Sequence, residues 1–148
     1  MKLQILRKLI PIACLLVSMN VLAYDFESGG IYYDITSSEN KTVEVTYKDT
    51  NYNSYSGDVT IPSSVTHEEI EFSVTSIGKR AFSGCSGFTS VTIPNSVTQI
   101  GNSAFDNCIS LKDLKIEDGT EILKLGYNYD GYYSFGNMLI ILNKGASL

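Results

Sequence analysis

The groups of this chain that could do chemistry are Cys85 and Cys108, a lone histidine among glutamates, and a few carboxylates near residue 115. A thiol becomes a nucleophile when a base such as histidine takes its proton. The single histidine, His67, lies outside the stretch that carries both cysteines, so no thiol–imidazole pair is indicated. His67-Glu68-Glu69-Ile70-Glu71 opens like the helix of a zinc peptidase, which needs a second histidine four residues on. That position is Glu71. A solvated acidic turn is the expectation here, with no metal and no cofactor. Paired carboxylates could hydrolyse a glycoside across a cleft, and Asp113, Glu117 and Asp118 come nearest to such a set. Asp113, however, falls on the polar side of an alternating segment and Glu117-Asp118-Gly119 reads as a turn, with nothing apolar around them to hold a proton. Glycine-rich phosphate signatures are absent, and Gly78 and Gly101 are expected at turns that need positive φ. Asn40-Lys41-Thr42 matches a glycosylation acceptor, which matters only in a eukaryotic secretory route. The chain is expected not to be an enzyme.

The elements that position these residues come from internal repetition. Shifted by 23 residues, Val74-Thr75-Ser76-Ile77-Gly78 falls on Val97-Thr98-Gln99-Ile100-Gly101. The match continues with Ala81-Phe82 on Ala104-Phe105, Cys85 on Cys108, Phe88 on Leu111, Val91 on Leu114 and Ile93 on Ile116. A partial copy upstream, Asp58 to Thr66, matches Ser90 to Thr98 at an offset of 32, with His67 to Phe72 as an insertion. Within a unit, the spacing of Val91 and Ile93, or of Leu114 and Ile116, predicts a short strand that turns alternate side chains inward. A second extended segment ends at Ile100, and Ala104-Phe105-x-x-Cys108 has the spacing of one helical turn. The expected core is Val74, Ile77, Ala81, Phe82, Cys85, Val91, Ile93, Val97, Ile100, Ala104, Phe105, Cys108, Leu111, Leu114 and Ile116. One coil cannot bury its apolar edge alone, so coils must stack into a solenoid.

Stacking bears on the cysteines, because it sets equivalent Cα atoms about 4.8 Å apart, within the reach of a disulfide. Both side chains would point inward in parallel among apolar neighbours, where cysteine also packs as a small hydrophobe. A ladder of buried thiols is favoured, with the bridge as the alternative. Upstream, Ile31 to Ile35 and Val43 to Tyr47 alternate at period two around Thr36 to Thr42, which predicts a β-hairpin able to cap the open end of the solenoid. All ten tyrosines lie outside the repeats, six from Tyr24 to Tyr55 and four from Tyr127 to Tyr133. Packing of caps and strand edges is their favoured role over ligand contact. After Gly119 the repeat fades, and Met138 to Leu142 is read as a final buried strand or as exposed sequence left by truncation.

The chain opens with Lys2, Arg7 and Lys8 ahead of the apolar stretch Leu9 to Met19, and Val21-Leu22-Ala23 suits cleavage after Ala23. The stretch is too short for a permanent membrane anchor. Export is therefore expected, with no transmembrane anchor after cleavage. The chain holds eleven basic against sixteen acidic residues, and three of the basic ones belong to this leader. So acidic a remainder disfavours nucleic acid and anionic membrane as partners.

Phe88 to Cys108 resembles the unit of the BspA-like (treponemal-type) leucine-rich repeat family, Leu-x-x-Leu-x-Ile-Pro-x-x-Val-x-x-Ile-Gly-x-x-Ala-Phe-x-x-Cys, with Phe88 and Val91 in place of leucines. Tyr24 to Tyr47 also looks like that family's N-terminal hairpin. The resemblance implies a leucine-rich repeat solenoid, β-rich with short helical turns, and a cell-surface or secreted binding module. The organisation expected is a signal peptide at 1–23, a hairpin cap at 24–57, repeats at 58–119 and a degenerate or truncated segment at 120–148. The expected function is adhesion to, or recognition of, a protein or glycan ligand at a cell surface. Thr60, Ser90, Thr92, Asp113 and Lys115, which alternate with the buried strand residues, are the expected ligand-facing set. The alternative is a structural remnant of a longer surface repeat protein, without binding of its own.

Overall fold

Strand β7 (Phe88–Ile93) and strand β9 (Asp113–Ile116) carry the alternating segments of the two repeats, and they pair in parallel. The computed structural model describes residues 23–119 and the short strands at 124–125 and 141–142. The leader ahead of Ala23, the tract Tyr127–Tyr133 and residues 138–140 lie outside the described residues. Strand β4 (Gly57–Thr60) adds to the other side of β7, and β11 (Ile141–Leu142) adds to β9, giving a four-stranded parallel sheet ordered β11-β9-β7-β4. The two sequence offsets set this register. Val59 stands on Val91 and Val91 on Leu114, while Ile93 stands on Ile116.

The second sheet collects the segments that end in Ile77 and Ile100. Strand β6 (Ile70–Ile77) pairs in parallel with β8 (Gln99–Ile100), and β8 with β10 (Lys124–Leu125). On the other side, β6 pairs in parallel with β3 (Thr42–Thr46), which forms an antiparallel hairpin with β2 (Ile31–Ser37). Strand β1 (Phe26–Ser28) then lies antiparallel on β2 at the edge. The inserted residues form a second hairpin, with β5 (Ser64–His67) antiparallel on β6. Glu68 and Glu69, at φ 47° and 65°, make its two-residue turn in the left-handed region that such turns require.

One continuous core joins the two sheets. Of the expected core residues, all are buried except Cys108 and Leu111, which are half-buried. Phe82, Phe88 and Phe105 form a triangular cluster with nearly parallel planes, Phe82 lying 4.9 and 5.0 Å from the other two centroids, which are 6.4 Å apart. Each fully buried phenylalanine contributes about 1.5–3 kcal/mol relative to exposure, so this stack ties consecutive coils together. The Tyr55 hydroxyl donates to the Thr46 carbonyl and accepts from the Tyr32 N–H, which pins the loop before β4 onto the first hairpin.

Two expectations are corrected by the segment between the sheets. Among the described residues no helix forms at 79–84 or 102–107; these are runs of tight turns. The N–H groups of Arg80, Phe82 and Gly84 donate to the carbonyls of Asn102, Ala104 and Asp106 in the next coil, at 2.8–3.1 Å. Those donors are unavailable to a helical ladder, and positive φ at Arg80, Ser103 and Asn107 breaks right-handed winding. The glycine expectation also changes, since Gly78 and Gly101 do not have positive φ. Gly101 is needed because a Cβ there would lie 2.6 Å from the Lys79 nitrogen and 2.8 Å from the Gly78 carbonyl carbon. At Gly78 it would meet the Val45 carbonyl oxygen at 3.0 Å. Both positions let one coil's backbone rest on the last. Gly101→Ala is expected to lower the unfolding free energy by about 1–3 kcal/mol, read as a lower urea midpoint. An unchanged midpoint would mean that the coils separate freely at this point.

Candidate functional site

Because Val59, Val91, Ile93, Leu114 and Ile116 turn into the core, the residues between them face away from it. The parallel register then sets them in columns. Asp58, Ser90 and Asp113 stand side by side, and so do Thr60, Thr92 and Lys115. All five expected ligand-facing residues, Thr60, Ser90, Thr92, Asp113 and Lys115, thus share one face. Thr60, Asp113 and Lys115 are exposed; Ser90 and Thr92 are half-buried.

Asp58 was missing from the expected set, although the offset of 32 already placed it on Ser90. Its role depends on a bulge. Gly57 stands on Phe88 but Asp58 on Ser90, so Thr89 has no partner on β4. Both neighbouring hydroxyls, of Thr89 and Ser90, therefore reach one oxygen, each donating to Asp58 Oδ1 at 2.7 Å. These two hydrogen bonds hold the Asp58 carboxyl below the usual carboxylate range. The face therefore carries a fixed anion at one side and the Lys115 ammonium two strands away.

The groups first suspected of chemistry are placed elsewhere. Cys85 and Cys108 are both free thiols. Cys108 Sγ donates to the Phe82 carbonyl at 2.9 Å and Cys85 Sγ to the Tyr52 carbonyl at 3.4 Å, each reaching back to an earlier stretch of chain. Burial pushes the Cys108 thiol up to about 12 and raises that of Cys85. Such thiols stay protonated and poorly nucleophilic. The His67 ring lies flat on Phe26, with centroids 4.2 Å apart, so it is an aromatic packing residue beside the exposed Glu68–Glu69 turn. Asp113, Glu117 and Asp118 are exposed. Among the described residues, no three histidine, cysteine or carboxylate side chains gather as a metal site.

A second acidic pair sits on the outer side of the other sheet, where Asp34 and Glu44 are cross-strand partners. Burial is the main cause that raises both carboxyls. Like charge adds to it, from Asp25 on Asp34 and from Asp34 on Glu44. The Asp25 N–H donates to Asp34 Oδ1 at 3.2 Å, and Asp25 Oδ2 accepts from the Ile35 N–H at 2.7 Å. These bonds tie the chain ahead of β1 onto β2.

Residues 59–134 match the BspA type leucine-rich repeat region in six copies. The chain belongs to this family. The match runs past Gly119 and takes in β10, which pairs in parallel with β8. At 29% identity, this BspA-type chain superposes with a TM-score of 0.60 on a leucine rich cell surface protein from Faecalibacterium prausnitzii A2-165, over 78% of its own length and 29% of the other's. A leucine-rich repeat protein from Bacteroides ovatus ATCC 8483 gives 26% identity and a TM-score of 0.59, over 79% and 34% of the two chains. One from Bacteroides capillosus ATCC 29799 gives 26% identity and 0.54, over 78% and 97%. The chain therefore spans about a third of the first two relatives and nearly all of the third. Comparison with curated proteins finds no match.

Two measurements check these placements. Peptide mapping after alkylation at pH 8 should find Cys85 and Cys108 unbridged and slow to react in the folded protein, and fully reactive in guanidinium. A Cys85–Cys108 peptide pair would show the bridge instead. For the acidic pair, raised folded-state pKa values give stability that is complete below the unfolded values of about 4 and is lost as pH rises through the folded ones. Glu44→Gln should accordingly raise Tm at pH 7, with the gain shrinking toward pH 4. A gain independent of pH would assign it to something other than the carboxyl.

Proposed function

We propose that this chain is an exported, non-catalytic binding module that recognises a protein or glycan at a cell surface. Recognition uses Thr60, Ser90, Thr92, Asp113 and Lys115, with Asp58 added to the set. The observation that carries this reading is the register itself. Parallel pairing fixes hydroxyl, carboxylate and ammonium groups in columns at the strand spacing, on a face whose side chains the core does not use. A rigid polar array of this kind can bind without paying the ordering entropy of a loop.

The leader-like residues 1–23 and the cell-surface relative from Faecalibacterium prausnitzii support the exported location. No helix among the described residues is long and apolar enough to cross a membrane. The first hairpin serves as the N-terminal cap, because β1 and β2 cover the edge that β3 would otherwise leave open. The acidic composition weighs against nucleic acid as the partner. The reading as an inert remnant is not favoured, since repeat copies run on to residue 134.

The test pairs Thr92→Trp with Lys115→Trp and compares binding to a glycan array and to immobilised extracellular-matrix proteins. Both side chains turn away from the core, so stability should fall by no more than about 1 kcal/mol, while binding should fall by about tenfold or more if this face is the contact. Equal binding by the variant, with an unchanged Tm, would remove the face from consideration.

A further inference from the structure

Among the described residues the four-stranded sheet has an open edge at β4, and that edge lines a cavity. The N–H groups of Gly57 and Ile61 donate toward the β7 side, to the carbonyls of Gly87 and Thr92 at 2.8 and 3.0 Å. Alternation along a parallel strand then turns the N–H and C=O groups of Asp58 and Thr60 to the opposite edge. No hydrogen bond from a described residue reaches them. Beside that edge lies a cavity of about 300 Å³, with Asp58, Val59 and Thr60 on one wall and the Gly29–Gly30 turn on the other. Ser54 and Ser56 add hydroxyls to the lining. Gly29 and Gly30 have open space where a side chain would be, so the far wall is bare backbone. The slot thus offers two donors and two acceptors in strand geometry, with room for one chain.

We propose that this slot binds an extended, basic segment of a partner protein, which adds to β4 as an extra strand. Main-chain hydrogen bonds to Asp58 and Thr60 supply the affinity, as in other cases of strand addition to a free sheet edge. Charge complementarity selects a basic segment. Asp58 is exposed and lines the slot, Thr89 and Ser90 hold its Oδ1 from the β7 side, and the chain as a whole is acidic. A Lys or Arg on the incoming strand meets that carboxylate. The slot shares Asp58 and Thr60 with the strand face of the proposed function, but it takes their in-plane backbone groups and uses none of the outward side chains of β7 and β9.

A displayed library of random hexapeptides, selected on the full chain, tests the proposal. The enriched peptides should carry Lys or Arg at one fixed position and lose binding when alternate amides are N-methylated. Thr60→Pro removes the edge-facing N–H while leaving the β7 ladder donors in place, and it should weaken these peptides about tenfold. Thr60→Val keeps that N–H and should bind as the parent does. Asp58→Asn should weaken them several-fold and relax the preference for a basic residue. Thr92→Trp with Lys115→Trp should have no effect here, which separates failure of the slot from failure of the strand face. The proposal is overturned if no peptide is enriched, if N-methylated peptides bind equally, if Thr60→Pro binds as the parent does, or if the edge is filled by a second copy of the chain, seen as a dimer in sedimentation that Thr60→Pro disperses.

Discussion

Everything in this molecule depends on how closely one coil's backbone lies on the next. Three separate ladders maintain that approach: the parallel pairings of β6 with β8 and of β7 with β9, and the run of turn donors from Arg80, Phe82 and Gly84 to the following coil. Of the described glycines, Gly78 and Gly101 are those at which the approach is tightest. A side chain there would wedge the coils apart, with consequences for the phenylalanine stack and the thiol-to-carbonyl bonds, both of which need the same short distance. The outward columns of the candidate face take their spacing from the same contact, so fold and site share one physical origin.

Much of this was legible in the sequence. The offsets of 23 and 32 residues correctly placed Val91 on Leu114 and Thr60 on Thr92, because a parallel register needs only the repeat length. Period-two alternation likewise marked which residues enter the core. What escaped depends on contacts between distant segments. The stacking of His67 on Phe26 joins two hairpins that share no sequence relation. The hydroxyl pair on Asp58 comes from a bulge at Gly57, outside any copy of the repeat. The role of the conserved-looking Gly78 and Gly101 follows from the gap between coils, which propensity at a single position does not reveal.

The fading of the repeat after Gly119 has a related cause. Leu125 stands on Ile100 and Leu142 on Ile116, spacings of 25 and 26 residues where the earlier pairs have 23. Strand pairing tolerates extra residues in the connecting turns, while a fixed-offset comparison does not. Helical spacing in Ala104-Phe105-x-x-Cys108 misled for a different reason. Tight turns with left-handed residues at Ser103 and Asn107 bring the same side chains inward at a similar interval. The carbonyls of Asn102, Ala104 and Asp106, which a helix would use internally, accept from the preceding coil.

In a solenoid each repeat touches mainly the coil before it and the coil after it, and the parallel pairing recurs at each junction described. A gene encoding such a chain can gain or lose whole units by tandem duplication or deletion without redesigning what remains, since every new unit brings its own glycine, phenylalanine and cysteine to the junction. Array length is then set by selection on reach and on the number of displayed columns. Stability does not fix it beyond the first few coils. The inserted β5–β6 hairpin stands apart from this freedom. It pairs with the part of β6 that β8 does not use, so it marks one coil as unique and gives an otherwise periodic protein a fixed point from which its units can be counted.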